Sequence, residues 1–350
     1  MPEGKTALVA GGLGVIGRAL VQHFAERGGW EAVALSRRAP DFETRARHVQ
    51  VDLLDRAATE AALAGLGGVT HLFYAAYQER RDPKEQVDIN LAMLQNLVRA
   101  AGAQAKRLRR VVLYEGVKYY GVHLGPFKTP ARENDARHMP PNFYYDQEDW
   151  LRAEAAGKAW DMAALRPDVV CGFAVGNPMN LTLVIAVYAA ISKELGLPLR
   201  FPGKTSAYRA LAQVTDAAQL ARASEWAALS APAGEAFNIT NGDVFRWDQL
   251  WPSFARAFGM EVAPPQAIPL SEFMRDKKPV WERIVSRHGL APYAYETIAA
   301  WGFGDFIFNC DYDVISSTTK LRQAGFADVV DSEEMFLRMF EEFRRRRVIP

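Results

Sequence analysis

Gly11, Gly14 and Gly17, with Val15 and Ile16 among them, are the first residues in the chain whose spacing could do chemistry. They follow the apolar run Lys5-Thr-Ala-Leu-Val-Ala10 and precede the helical pattern Arg18-Ala-Leu-Val-Gln-His-Phe-Ala-Glu26. Strand, glycine turn and helix in that order aim backbone N–H groups and a helix N-terminus at a pyrophosphate. Gly11 is expected to make the tight turn, Gly14 to let the backbone approach the phosphates, and Gly17 to let the helix pack on the strand. Glycines alone also serve ordinary turns. Their flanking elements make this a dinucleotide site.

The tip of the second strand selects the dinucleotide. An NAD-preferring site carries an acid there, bonding the ribose 2′-hydroxyl. This strand instead ends Leu35-Ser36-Arg37-Arg38. Two guanidinium groups and a hydroxyl stand where the 2′-phosphate of NADP sits, and arginine's planar fork suits phosphate. The bland alternative is a solvated charge pair in a loop. NADP(H) is therefore expected. Asp52 and Leu53 should flank the adenine, while Ala75, Ala76 and Val170 should run beside the nicotinamide half.

Holding these groups requires alternating strands and helices. Strands are predicted at 31–35, 48–51, 70–74, 108–114 and 163–166 after the first, with helices at 57–66, 85–105 and 147–159. Apolar strands alternating with helices predict an α/β doubly wound parallel Rossmann sheet, covered on both faces. Beyond Arg166-Pro167 the pattern changes, with a mainly apolar helix over 179–195 and a helix from Asp216. Strands are expected near Leu199 and at 235–239, and the last hundred residues read as mostly helical. The expected division is a cofactor domain over 1–172 and a smaller, mostly helical substrate lobe over 173–350, with the chain returning to the first domain around 212–240.

Composition narrows the function. The 350 residues are 49% hydrophobic and carry a net charge of +1, which offers nothing to a nucleic acid. Arg344–Arg347 follows Glu341-Glu342 at a helical end, where cations complement the dipole. Cys171 and Cys310 are too few for a disulfide framework or a cysteine metal site, and the six histidines lack ligand spacing. No metal is expected. The longest apolar run, 181–191, is too short to cross a bilayer. With no signal-peptide pattern, a reduced, cytoplasmic protein without membrane contact is expected.

The chain at this point resembles the extended short-chain dehydrogenases/reductases, whose members usually carry Tyr-x-x-x-Lys on a helix. One literal match exists, Tyr114-Glu-Gly-Val-Lys118. It falls at a strand end, where that spacing does not put both side chains on one face. The helix that should carry the motif begins Pro141-Asn-Phe-Tyr144-Tyr145, and its positions 148 and 149 are Glu and Asp. The usual lysine is missing. That departure resembles the progesterone 5β-reductase/iridoid synthase-like family, with its Asn-Phe-Tyr-Tyr segment and a Gly-x-Lys-x-Tyr segment after the fifth strand, here Gly116-Val-Lys118-Tyr-Tyr120. The likeness continues through Arg166-Pro167, Met179-Asn-Leu181, Tyr188-Ala-Ala-Ile191, Leu199-Arg-Phe201, Phe237–Asp243 and Pro279-Val-Trp281.

The resemblance implies that Tyr144 is the catalytic tyrosine and Lys118 the catalytic lysine. It further implies NADPH-dependent reduction of the C=C bond of a small hydrophobic enone or enal. Tyr144 would hydrogen-bond the developing oxyanion and also touch the cofactor, with Lys118 as its cationic partner and a means of lowering its pKa. Phe127, Phe143, Tyr145, Met179, Tyr188, Trp301, Phe303 and Phe306 are candidates for an apolar substrate pocket, although each alone suits a core as well. Trp301-Gly-Phe-Gly-Asp305 is a candidate flap, since glycines permit bending. A homodimer is compatible with the superfamily. Two other readings stay open: a carbonyl reductase or epimerase/dehydratase of the same superfamily, and an NADP(H)-sensing regulator without turnover.

Overall fold

Seven parallel strands build the central sheet of the computed structural model, which describes residues 4–350. They are β1 (Lys5–Ala10), β2 (Trp30–Ser36), β3 (Arg47–Gln50), β4 (His71–Tyr74), β5 (Arg110–Tyr114), β6 (Asp161–Pro167) and β7 (Ala236–Ile239). Their order is β7-β6-β5-β4-β1-β2-β3. The order reverses between β1 and β4, and in such sheets ligands bind at the carboxyl ends of the strands flanking the reversal. The inner strands are buried on both faces, which is why β5 reads Val-Val-Leu without alternation.

Helices α1 (Val15–Glu26), α2 (Arg56–Leu63), α3 (Pro83–Gln104) and α4 (Phe143–Ala155) connect the first six strands. α4 starts four residues before the predicted helix because the Asn142 side chain caps it, and it stops short near Gly157, which has φ +72°. Tyr144 therefore sits in the first turn. After α5 (Leu181–Glu194), α6 (Ala217–Leu229) returns to pack on α1, β5 and β6, and β7 closes the sheet beside β6. Asp216 caps α6 through Ala218 N at 2.6 Å and Gln219 N at 3.0 Å.

The second half is organised around α5, buried from Leu181 to Ser192. Against it pack α7 (Trp247–Phe258), α8 (Lys278–His288), α9 (Trp301–Phe308) and α10 (Ser332–Arg345). Phe201, Trp251, Phe254, Phe308, Phe336 and Phe340 are each fully buried there. The Trp- and Phe-rich composition thus builds a core. The expected flap over 301–305 is instead the start of α9. A Cβ on Gly304 would lie 2.7 Å from Val184 Cγ1, so that glycine permits close packing on α5. Asp305 ties α9 down by accepting hydrogen bonds from Leu270 N and Ser271 N at 2.6 and 2.9 Å. The arginine run ends α10, with Arg345 and Arg346 paired to Glu342 and Arg346 also lying over the Phe173 ring. Among the described residues no helix is long and apolar enough to cross a membrane.

His71 is 2% exposed, 2.9 Å from Thr70 Oγ1 and packed on Trp30. Burial, with Arg109, Arg110 and Lys5 adding, pushes it down to about 4. An unfolded histidine titrates near ~6.5. Between those values the unfolded chain binds a proton that the folded chain refuses, so stability falls as pH drops through that window. Urea unfolding at stepped pH should show a shallower slope there for His71→Asn than for the parent; equal slopes would refute the assignment.

Candidate active site

The cleft opens where β1 and β4 end. Gly11 has φ +75°, and a Cβ there would lie 2.6 Å from Ala75 O. A Cβ on Gly17 would lie 2.1 Å from Gly11 O, so only glycine lets α1 start this close to the turn. Gly14 N donates to Gly11 O at 3.0 Å, and Gly14 is the N-cap. The first N–H groups of α1 therefore lack intrahelical partners beside the cleft.

Two adjoining cavities occupy it, of ≈ 310 and ≈ 200 Å³, sharing Gly11, Gly14, Ala76, Tyr77, Asn177 and Pro178. The smaller is lined by Ser36, Arg37, Arg38, Asp52 and Leu53. The Ser36 hydroxyl is engaged: it donates to Arg38 O at 2.7 Å and lies 2.7 Å from His48 Nε2. Through these contacts it shapes the arginine turn. Arg37 and Arg38 are exposed, and neither guanidinium has an ion pair or hydrogen bond among the described residues. Val15, Ile16, Ala75 and Val170 line the larger cavity. A glycine cradle, a helix N-terminus and two available guanidinium groups along one cleft fit a dinucleotide.

Tyr144 and Lys118 both line the larger cavity. Asn142 joins them, because its Oδ1 accepts from Tyr144 N at 3.1 Å and its Nδ2 donates to Lys118 O at 2.9 Å. One amide thus caps α4 and clamps the turn after β5. Gly116 makes room for the phenol: a Cβ there would lie 3.1 Å from Tyr144 Oη and 3.4 Å from Pro167 O. Among the described residues no protein group hydrogen-bonds the Tyr144 hydroxyl or pairs with the Lys118 ammonium. Burial pushes the phenol above its ordinary value, with Tyr77 and Glu115 adding. Lys118 is not among the groups acting on it, contrary to the expected lowering by a cation. Tyr144 is therefore a firm hydrogen-bond donor. The Lys118 charge is felt at His123, which burial and that ammonium push down to about 4.

Behind this wall lies a buried guanidinium. Arg166 is 1% exposed and donates to Glu115 Oε2 at 2.5 Å, Glu148 Oε2 at 3.0 Å, Glu133 O at 3.0 Å and Tyr120 Oη at 3.1 Å. Glu148 stands four residues after Tyr144, where the familiar pattern has lysine. A lysine there would meet Arg166, whereas an acid pairs with it. Burial pushes Glu115 up to about 7 even against Arg166. Burial acts the same way on Glu148, but Arg166 and Arg152 outweigh it and hold that carboxyl below the usual range.

Other expected residues lie elsewhere. The Tyr145 hydroxyl donates to Tyr119 O at 2.6 Å, and its ring packs with Tyr119, Tyr120 and Phe127 away from the cavity. Trp301 packs on the lobe core near Tyr295, and Tyr188 is inside α5. Their rings find partners in packing, so none of the four lines the cavity, whereas Phe143, Met179, Phe303 and Phe306 do. Tyr114 donates to Ser224 Oγ at 2.7 Å on α6, so the literal Tyr114–Lys118 match is coincidental. Sequence reading missed Tyr77, Gln147, Asp168, Gln213, Cys310 and Tyr312, which also line the cavity. Only Asp168 carried a signal: an acid directly after a sheet strand.

Fold and site together define an NAD(P)-dependent oxidoreductase of the short-chain dehydrogenase/reductase type. Residues 45–350 match the PRISE-like Rossmann-fold domain, and the chain belongs to that family. The (S)-8-oxocitronellyl enol synthase of Nepeta cataria is 32% identical over 370 residues, spanning 99% of this chain and 93% of its own. The short chain dehydrogenase gsfE of Penicillium aethiopicum is 31% identical and covered to 99%, as is this chain. A UDP-glucose 4-epimerase of Thermotoga maritima shares the fold, with a TM-score of 0.69 at 16% identity over 97% of this chain and 99% of its own.

Removing Arg166 strands the buried Glu115 carboxylate and takes from Glu148 one of its three cations, leaving Arg152 and Arg137. Arg166→Leu should cost about 3–5 kcal/mol in chemical unfolding, while Arg166→Leu with Glu115→Gln and Glu148→Gln should recover much of it. A single variant as stable as the parent would contradict this account.

Proposed function

We propose that this protein reduces the C=C bond of enones or enals with NADPH. The observation that carries the reading is that one largely apolar cavity is lined both by Tyr144, a protonated phenol, and by Lys118, neither of whose polar ends has a partner among the described residues. When bound, NADPH would supply the hydride for the β-carbon of the substrate, and water would supply the proton that completes the saturated ketone at the α-carbon. Negative charge then builds on the carbonyl oxygen. Tyr144 is suited to donate a hydrogen bond to that oxygen, strengthening as charge develops, and Lys118 adds positive potential on the same wall. Asn142 keeps both in register. Neither side chain needs to transfer a proton for the enolate to form. Relatives in Nepeta and Catharanthus are named enol synthases, and an enol or its anion is what such addition leaves. Arg37 and Arg38 favour NADPH by offering forks to a 2′-phosphate.

Purified protein with NADPH and 2-cyclohexenone should yield the saturated ketone. Allylic alcohol as sole product would point to carbonyl reduction, and cofactor binding without turnover over a broad enone panel would point to a sensor. Tyr144→Phe should lower kcat by about 10²–10³ with NADPH affinity little changed, and Lys118→Met should act in the same direction. Full activity in Tyr144→Phe would remove the oxyanion role. Replacing Arg37 and Arg38 together by Ala should raise the KM for NADPH by about ten- to a hundredfold while sparing NADH. Equal losses for both cofactors would refute 2′-phosphate recognition.

A further inference from the structure

Asp168 follows β6 directly and lines the larger cavity, yet it is 1% exposed. Its Oδ1 accepts from Val169 N at 2.8 Å. Its Oδ2 is buried with no hydrogen-bond partner among the described residues. No lysine, arginine or histidine acts on it; burial, resisted only by the Val169 N–H, pushes it up to about 7. A buried carboxyl without a cation is biased toward its protonated form, whose O–H lacks an acceptor. Such a group is costly to bury unpaired and calls for an explanation.

The neighbouring polar groups on the lobe side are already satisfied. Gln213 accepts from Ser316 N at 2.8 Å and donates to Asp243 O at 3.3 Å. Tyr312 donates to Val122 O, and Cys310 to Phe306 O at 3.3 Å. Tyr77 and Asn177 line both cavities, which puts them toward the cofactor cleft; Asp168 lines only the larger one. Its carboxyl acts on Cys310, just beyond α9, and is not among the groups acting on Tyr144. Asp168 and Cys310 thus share one stretch of the larger cavity.

We propose that Asp168 is a specificity-determining residue, a neutral hydrogen-bond donor that takes an acceptor oxygen of the substrate other than the one held at Tyr144. The preferred substrates then carry a second carbonyl or hydroxyl oxygen. An oxygen fits better than an amine, because a cation brought into this largely apolar cavity loses its hydration. The inference rests on the enone reading for the reacting end only.

The test is binding to the full chain saturated with NADP⁺, by calorimetry with 1-alkanols and α,ω-diols of stepped length. At one length the diol should bind about tenfold tighter than the alkanol. Asp168→Leu should abolish that preference, and Asp168→Asn, which still offers N–H donors, should keep it. Circular dichroism and NADP⁺ affinity control for folding. No preferred diol, or a preference surviving Asp168→Leu, overturns the proposal. So does tighter binding of the matching amino alcohol. Weaker NADP⁺ binding in a folded Asp168→Leu with the diol preference intact overturns it too, by assigning the carboxyl to the cofactor. A diol preference that depends on Asp168, in a protein that oxidises NADPH with no enone, upholds the anchor and sinks only the enone reading.

Discussion

The Arg166 guanidinium, sealed between Glu115 and Glu148, is the interaction on which the cavity wall bearing Tyr144 and Lys118 depends. It ties three elements: β6 carries the arginine, Glu115 follows the last residue of β5, and Glu148 lies one turn beyond Tyr144 on α4. Its planar face lies 3.4 Å from the Tyr119 ring centroid, so the turn bearing Lys118 rests on it as well. Buried ion pairs add little net stability, since desolvation cancels most of the attraction. Their effect is on geometry. Any shift of α4 against β5 would pull apart a buried ion pair, and that penalty holds the wall in one arrangement.

The same guanidinium accounts for the displaced lysine. Position 148 belongs to the Arg166 pocket, where charge balance demands an acid. A cation for the reacting end has to come from another element, and the turn after β5 is the nearest backbone. Asn142 then makes two separate elements behave as one, because each end of its amide is committed to a different chain segment. The outcome differs chemically from a helix-borne Tyr–Lys pair. The phenol stays protonated by burial, and the ammonium remains available to a ligand.

Much of the cofactor half was legible because it rests on backbone rules. Glycine spacing, strand–helix alternation and the pair Arg37-Arg38 depend on neighbours in sequence, and the structure lines one cleft with Gly11, Gly14, Arg37 and Arg38. Partner-dependent features were not legible. Tyr145 and Phe127 look identical to pocket residues until Tyr119 and Tyr120 are seen to cover them. Gly304 reads equally as a hinge or as a contact, and only the approach of Val184 decides. Arg166 drew notice merely as half of an Arg-Pro pair, since its two carboxylate partners lie 51 and 18 residues away.

The two walls of the cavity therefore answer to different constraints. On the sheet side, backbone approach and the Arg166 cluster leave little freedom, because a Cβ at Gly11 or Gly17 collides with main chain. On the lobe side, α9 meets the cavity through Phe303, Phe306 and Ile307, side chains whose shapes can change without disturbing a buried charge. The rings of Phe201, Trp251 and Phe308 hold α9 from behind, so such changes would reshape the cavity rather than loosen it. Asp168 follows β6 directly and lines the cavity between these walls, with Oδ1 held by Val169 N and Oδ2 buried. A fixed reacting end joined to an adjustable recognition end lets one fold keep its chemistry while its substrate varies.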